Sequence, residues 1–153
     1  MKYARFVNTG MSEYLKRVCM VNIGDNIKSI SVKQLFQYAN IRESDILEVS
    51  YYDQSSISEP CSLILNSHYR RSTSMNYMYN SNIRPVFIGW GLAQSDLLPE
   101  EINYIKQYEP ILCRDEFTKA ILTKYQIEAY VIGCLSLTFD RRESAEGNNG
   151  KYY

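Results

Sequence analysis

Short apolar runs alternate with helix-like patterns along this chain. The apolar runs predict six strands, at Tyr3–Val7, Ile46–Tyr51, Cys61–Asn66, Pro85–Trp90, Ile111–Cys113 and Ala129–Ile132. The alternating run at 46–51 indicates a half-buried strand, whereas the continuous run at 85–90 is typical of a strand buried on both faces. Short strands separated by helices favour right-handed crossovers and a mainly parallel sheet, so the predicted class is α/β.

The first predicted helix opens within residues 22–27 and ends near Asn40. Its apolar residues recur at roughly helical spacing, at Ile27, Ile30, Leu35 and Tyr38. A short side-chain oxygen can accept hydrogen bonds from the first amides of a helix. We therefore expect Asp25 or Asn26 to cap this helix.

Two further helices are predicted between the later strands. The first spans Pro99–Tyr108, with proline in its first turn, glutamates at the positive end of its dipole and Pro110 after its end. Its Ile102 and Ile105 are expected to face the core. The second begins after Asp115, a residue type favoured as a helix cap. The apolar stripe of this second helix is predicted to comprise Phe117, Ile121, Leu122 and Tyr125.

Two polar segments interrupt the pattern. Residues 67–82 are rich in Ser, Asn, Tyr and Arg, which predicts a long surface connection with Arg70 and Arg71 on a solvated loop. Residues 140–153 are interpreted as a flexible tail or hinge, which leaves residues 1–139 as one domain. A chain of 153 residues that is 45% hydrophobic can bury the core of one ordinary domain.

Composition narrows the possible partners. Seventeen basic residues balance seventeen acidic ones, so no net field favours nucleic acid or anionic lipid. No run of about 18 apolar residues occurs, so no membrane span is predicted. The first residues lack the apolar core of a signal peptide, which predicts a cytoplasmic location.

The cysteines do not have the spacing of a metal site. Cys19, Cys61, Cys113 and Cys134 are far apart, no CxxC motif occurs, and the chain has one histidine. Zinc sites need clustered Cys or His ligands, so we expect no metal. The thiols in or beside strands are expected to pack as small apolar groups.

Several predicted strands end in residues that suit ligand binding. These residues are Asn66, Ser67 and His68, the run Gly89–Gly91, Arg114 and Asp115, and Gly133 and Cys134. The carboxyl ends of parallel strands share one edge of a sheet, where ligands bind. A guanidinium at that edge suits a carboxylate or a phosphate. Neither GxGxxG nor GxxxxGK[ST] occurs, which argues against an ordinary dinucleotide or P-loop site.

The charged residues at this edge each have a structural alternative. Arg114 either binds an anion or pairs with an acid at the surface. Asp115 is either a helix cap or a catalytic acid. His68 is either a hydrogen-bonding residue or a catalyst, since histidine is the side chain that titrates near neutral pH without perturbation.

Turns and packing offer alternatives for other residues. Gly24 and Gly133 are explained by turns that need glycine. Trp90 and the fourteen tyrosines provide rings that can stack on sugars, but the same rings commonly fill cores.

Three blocks of sequence occur in a distinctive order. They are Asn-Ile-Gly-Asp-Asn-Ile-Lys-Ser at 22–29, the segments 62–69 and 82–88, and residues 108–140 with Cys-Arg-Asp at 113–115 and Gly-Cys-Leu-Ser-Leu-Thr at 133–138. Together they resemble the polysaccharide pyruvyl transferase family, and the third block is the most specific. One departure is the Asn-Ser-His sequence at 66–68, where relatives often have Asn-Gly-Trp.

The resemblance implies a reaction and an architecture. Family members transfer the enolpyruvyl unit of phosphoenolpyruvate to sugar hydroxyls of a cell-surface polysaccharide as a cyclic ketal, without a cofactor. They have two facing Rossmann-like domains, as in GT-B glycosyltransferases. The chain resembles the N-terminal domain up to the hinge, so a second domain is expected to supply much of the donor site.

The resemblance also implies roles for individual residues. Arg114 is expected to contact the donor anion, and His68 is a second catalytic candidate. The expected substrate-binding residues are Asn22, Gly24, Asp25 and Asn26 on the acceptor side, with Asn66, Asp115 and Gly133.

Two other functions remain open on this sequence. One is a truncated saccharide-binding domain without turnover. The other is half of a nucleotide-sugar glycosyltransferase. The isolated chain is expected to lack turnover, because a cleft with one wall cannot exclude water around a charged substrate.

Overall fold

A computed structural model describes residues 1–7, 23–50, 57–69 and 78–139 of the chain. Its strands are β1 (Lys2–Val7), β2 (Ile46–Ser50), β3 (Cys61–Leu65), β4 (His68–Tyr69), β5 (Ile83–Leu92), β6 (Ile111–Cys113) and β7 (Ala129–Val131). Its helices are α1 (Ile23–Tyr38), α2 (Pro99–Lys106) and α3 (Glu116–Lys124), with short 3-10 helices at Glu43–Asp45 and Leu135–Thr138.

The strands form one seven-stranded sheet in the order β2-β1-β3-β5-β6-β7, with β4 paired to β5. Every strand pair in the described part of the chain is parallel. The prediction of an α/β fold with a mainly parallel sheet is confirmed. The chain runs outward from β1 to β2 and then in the opposite direction from β3 to β7, so the strand order reverses between β1 and β3.

Alternation along the strands divides the core into two layers. Leu63 and Leu65 of β3 lie in a layer with Phe87 of β5, and helices α2 and α3 cover this layer. Ile64, between them, lies in the opposite layer with residues of α1. Because a strand directs successive side chains to opposite faces, a continuous apolar run such as β3 supplies both layers.

Helix α1 has the predicted extent but a different buried face. Val32 and Phe36 are each 1% exposed and pack on the sheet, whereas Ile30 and Tyr38 are more than half exposed. The expected cap was wrong, because the helix begins at Ile23 and both Asp25 and Asn26 lie within it. The buried face follows the sheet that α1 crosses, which apolar spacing in α1 alone does not define.

The other two helices follow their sequence signals closely. Glu101 of α2 accepts a hydrogen bond from the backbone amide of Leu98, with 2.7 Å between Oε2 and N, and Ile105 is fully buried. Asp115 caps α3, because its Oδ1 accepts a hydrogen bond from the backbone amide of Thr118 at 2.8 Å. Phe117 was predicted to join the apolar stripe of α3, but its side chain is 55% exposed.

The segment 67–82 is less peripheral than predicted. Its first three residues include β4, and Ser67 and Tyr69 are buried. Residues 70–77, including Arg70 and Arg71, lie outside the described residues. Strand β5 is longer than the predicted run, and Trp90 within it is fully buried, so its ring is part of the core.

The described cysteines differ in exposure. Cys61 and Cys113 are buried, as expected for packing groups, whereas Cys134 is partly exposed. All three are free thiols. Cys19 lies outside the described residues.

No helix in the described segments is both long enough and apolar enough to cross a lipid bilayer.

Two substitutions in α3 test the observed packing. Leu122→Ala removes a fully buried side chain and is expected to lower the free energy of unfolding by about 2–5 kcal/mol. Phe117→Ala removes an exposed ring and is expected to change it by about 0.5 kcal/mol or less. Urea denaturation measures both, and equal losses would contradict the assigned buried face.

Candidate functional site

The candidate site lies at the carboxyl ends of the parallel strands. In open α/β sheets, ligands bind where the strand order reverses, which here is beside the end of β3. Ser67 follows β3, the Arg114–Asp115 pair follows β6, and Gly133 with Cys134 follows β7. The parallel register therefore places separate sequence segments along one edge.

His68 connects the two charged residues that follow β6. Its Nε2 lies 3.2 Å from Asp115 Oδ2, and its Nδ1 lies 3.1 Å from a terminal nitrogen of Arg114. The Arg114 side chain is about a quarter exposed, at 24%, and the other two are somewhat more exposed. Arg114 Nε also lies 3.9 Å from Asp115 Oδ2, so Arg114 pairs with an acid and the three side chains form a mutually contacting cluster that remains accessible to solvent.

The surroundings of His68 and Asp115 determine the charges of these two side chains. Partial burial and the Arg114 guanidinium lower the pKa of His68 below its ordinary value, and the opposing effect of Asp115 does not outweigh them. Burial is also the largest influence on Asp115 and acts to raise its pKa, but hydrogen bonds from Thr118 and His68 together lower it. At neutral pH the imidazole is neutral and the carboxylate is ionised.

Helix α1 brings a second cation to the same edge. Lys28 Nζ donates a hydrogen bond to Ser67 Oγ at 3.0 Å. Asn66, which is 2% exposed, donates from Nδ2 to the backbone carbonyl of Lys28 at 2.9 Å and lies 3.5 Å from Ser31 Oγ. Asn66 therefore fastens α1 to the end of β3, and Lys28 extends over that end.

Arg114 and Lys28 both affect the pKa of the Cys134 thiol. Its Sγ accepts a hydrogen bond from Ser136 Oγ at 3.0 Å. Burial, the largest single influence, acts to raise the pKa of this thiol, but Ser136 and the positive charges of Arg114 and Lys28 together lower it below its ordinary value. The fields of both cations thus reach the loop after β7.

Glycines in β5 leave room for this arrangement. A Cβ on Gly91 would lie 2.4 Å from His68 Cδ2 and 2.7 Å from Arg114 Cδ. A Cβ on Gly89, which has φ of +65°, would lie 3.0 Å from the carbonyl oxygen of Gly133. The His68 and Arg114 side chains and the loop after β7 therefore pack directly on the β5 backbone.

The structure brings three of the sequence-predicted residues into contact. Arg114, His68 and Asp115 are in contact, and Gly133, with φ of +82°, lies in the adjoining loop. Gly24 and Asn26 lie at the start of α1, and Asn22 lies outside the described residues.

Lys28 was not predicted as a site residue. Lys28 lies one helical turn after Gly24, so these positions share a face of α1. That spacing could have pointed to Lys28 once the helix was placed against the end of β3. Ser67 was noted at the strand end but not assigned a role.

Comparisons with known proteins do not assign this chain to a family. The chain matches no protein-family model, no curated protein and no solved structure in the comparisons made. Within the described segments, no three His, Cys, Asp or Glu residues are grouped so that they could hold a metal ion. The charged side chains at this edge are Arg114, Lys28 and Asp115.

Gly91→Ala tests the close packing on β5. The added methyl must displace His68 and Arg114, so the free energy of unfolding is expected to fall by about 1–3 kcal/mol. The loss should be smaller when Gly91→Ala is introduced into a His68→Ala background, because one clashing side chain is then absent. Thermal and urea unfolding of the four proteins measure this coupling, and strictly additive losses would contradict the contact.

Alkylation of the thiols tests the electrostatics of the site. In a Cys19→Ser background at neutral pH, iodoacetamide is expected to modify Cys134 at least about tenfold faster than Cys113, whose burial raises its pKa to about 12. Arg114→Ala should slow the reaction at Cys134, because removal of the cation raises the pKa of the thiol. Arg84→Ala, at the amino end of β5, is the control. Mass spectrometry follows each site, and an unchanged rate in Arg114→Ala would show that Arg114 does not act on Cys134.

Proposed function

We propose that this chain is a pyruvyl transferase domain, which acts in transfer of a pyruvyl group from phosphoenolpyruvate to sugar hydroxyls of a polysaccharide. The observation that carries this proposal is the convergence of Arg114 and Lys28 at the carboxyl edge, where Arg114 contacts His68 and Lys28 donates a hydrogen bond to the adjacent Ser67. The ordered sequence blocks that resemble the pyruvyl transferase family support the choice of donor.

Phosphoenolpyruvate requires the groups found at this edge. It carries a phosphate and a carboxylate, so it binds where two cations are held a short distance apart. A guanidinium matches either anion with two parallel hydrogen bonds, and an ammonium acts as a point charge. Arg114 and Lys28 are the two kinds of cation, and the Ser67 hydroxyl adds a neutral hydrogen-bonding group beside Lys28.

The reaction needs both charge stabilisation and proton transfer. The methylene carbon of the donor gains a proton, one sugar hydroxyl adds to the central carbon, phosphate leaves, and a second hydroxyl closes the ketal. In the balance, the two hydroxyls lose two protons, of which the methylene carbon and the leaving phosphate each gain one. Cations at the leaving phosphate stabilise its developing charge. Asp115 is ionised and already accepts two hydrogen bonds, so it is poorly placed to donate the proton.

In this proposal, the described residues bind and orient the donor. A facing domain, as in GT-B architectures, would complete the cleft, exclude water and provide the remaining catalytic groups. The start of α1, where Gly24, Asp25 and Asn26 lie, would face the saccharide acceptor.

Removal of either cation tests the proposed donor site. Arg114→Ala and Lys28→Ala are each expected to weaken phosphoenolpyruvate binding by about 10- to 100-fold, because each removes a charge-assisted interaction. Arg84→Ala is the matched control, since Arg84 is an exposed arginine at the opposite end of β5. Isothermal titration calorimetry measures the affinities of the wild type and of the three variants.

Two outcomes would contradict the proposal. One is equal affinity of wild type and Arg114→Ala for phosphoenolpyruvate. The other is tighter binding of a nucleotide sugar than of phosphoenolpyruvate, which would favour a glycosyltransferase. Formation of a pyruvate ketal on a polysaccharide, lost in Arg114→Ala, would establish the activity.

A further inference from the structure

We propose that His68 is a positioning residue for Arg114 and not an acid or base. In its neutral Nε2–H tautomer, it connects the guanidinium of Arg114 to the fixed carboxylate of Asp115. This inference deepens the proposed function, because it assigns a role to the sole histidine at the same anion site.

Donor and acceptor chemistry determines the tautomer. A guanidinium can only donate hydrogen bonds, so the His68 Nδ1 that lies 3.1 Å from Arg114 must present its lone pair. The proton of a neutral imidazole is then on Nε2, which lies 3.2 Å from Asp115 Oδ2 and donates to it. Both ring nitrogens are engaged, so neither is available to a substrate.

The carboxylate that receives this hydrogen bond is held by the start of α3. Asp115 uses its other oxygen, Oδ1, to accept the backbone amide of Thr118 at 2.8 Å. Thr118 is itself fully buried, and its Oγ1 accepts the backbone amide of Leu92 at 3.0 Å. A continuous series of hydrogen bonds therefore leads from the end of β5 to the guanidinium of Arg114.

The backbone of β5 restricts the same two side chains from below. Gly91 leaves no space for even a methyl group beneath His68 and Arg114. With Asp115 on one side and β5 beneath, the imidazole has few alternative positions that keep both of its hydrogen bonds. An arginine held in this way loses less conformational freedom when an anion binds, which raises affinity.

Charges around His68 favour its neutral form. The facing groups are Arg114 and Asp115, at the junction of β6 and α3, and Lys28 on α1. Burial is the largest influence and two of the three groups are cations, so the pKa of His68 lies below its ordinary value. When the pH falls through that lowered pKa, Nδ1 gains a proton, Arg114 loses its acceptor, and an imidazolium repels the guanidinium.

Protonation of His68 is therefore expected to weaken anion binding as the pH falls, because it releases Arg114. Added positive charge alone would have the opposite effect and strengthen anion binding. Sulfate is a suitable probe because its charge does not change over this range.

The tautomer can be measured directly in the intact protein. Because the chain has one histidine, a nitrogen-15 spectrum of the imidazole, recorded without an affinity tag, reports His68 alone. At pH 7.5 we expect a protonated Nε2 and an unprotonated Nδ1. A protonated Nδ1, in either the other neutral tautomer or the imidazolium, would overturn the proposal.

Two substitutions of His68 test the contacts of its two ring nitrogens separately. The amide oxygen of His68→Asn can take the place of Nδ1 and accept from Arg114, whereas the amide of His68→Gln takes the place of Nε2 and keeps only the contact to Asp115. We expect His68→Gln to bind sulfate about tenfold more weakly than His68→Asn. The decline of binding at low pH should disappear in both variants. Equal affinities, or the reverse order, would overturn the proposal.

These measurements distinguish this inference from the proposed function. If sulfate binding follows the expected order but no pyruvate ketal forms, the proposed function fails and the role of His68 stands. If ketal forms but His68→Gln binds sulfate at least as well as His68→Asn, the positioning role fails and the function stands. The spectrum of the wild-type imidazole decides the case in which either variant does not fold.

Discussion

The Asp115 carboxylate is the group on which the candidate site depends. One oxygen caps α3 and the other contacts His68, which in turn contacts Arg114. Capping is favourable in its own right, with a typical contribution of about 1 kcal/mol. The start of α3 therefore provides a rigid support from which the polar network extends into solvent.

The parallel sheet explains why this support lies beside the other functional groups. Each crossover returns the chain to the same end of the sheet, so the residues after β3, β6 and β7 meet although they are far apart in sequence. Asn66 joins α1 to this edge through a partly buried hydrogen bond to the Lys28 carbonyl, and the Lys28 side chain donates to Ser67. The result is a pair of cations, Lys28 beside the neutral Ser67 and Arg114 beside His68 and the Asp115 carboxylate.

The sequence predicted much of the fold because its signals are local. Strand β6 and the cap of α3 follow from a three-residue apolar run and an Asp at its end, and the structure has both where expected. Phe117 was assigned to the wrong face because helical spacing gives a stripe but not its width, which depends on the sheet beneath. The cap of α1 was placed too late, because several residues in its first turn could cap a helix equally well.

The site was less predictable than the fold, because its contacts cross between elements. Arg114 was singled out from its place at a strand end, but its contact with His68 depends on β4, a two-residue strand within a segment that reads as a polar loop. Lys28 has no local signal of function, since lysine on an exposed part of a helix is common. Only the register of β3 and the position of α1 place it at the edge.

The most direct test of the account is an amide NMR titration of the chain with phosphoenolpyruvate. We expect the largest shifts at Ser67, at Arg114 and in the loop at 133–134, with small shifts at Lys2 and Arg84 on the amino ends of β1 and β5. Shifts concentrated at the amino ends, or none at saturating concentrations, would contradict an anion site at the carboxyl edge.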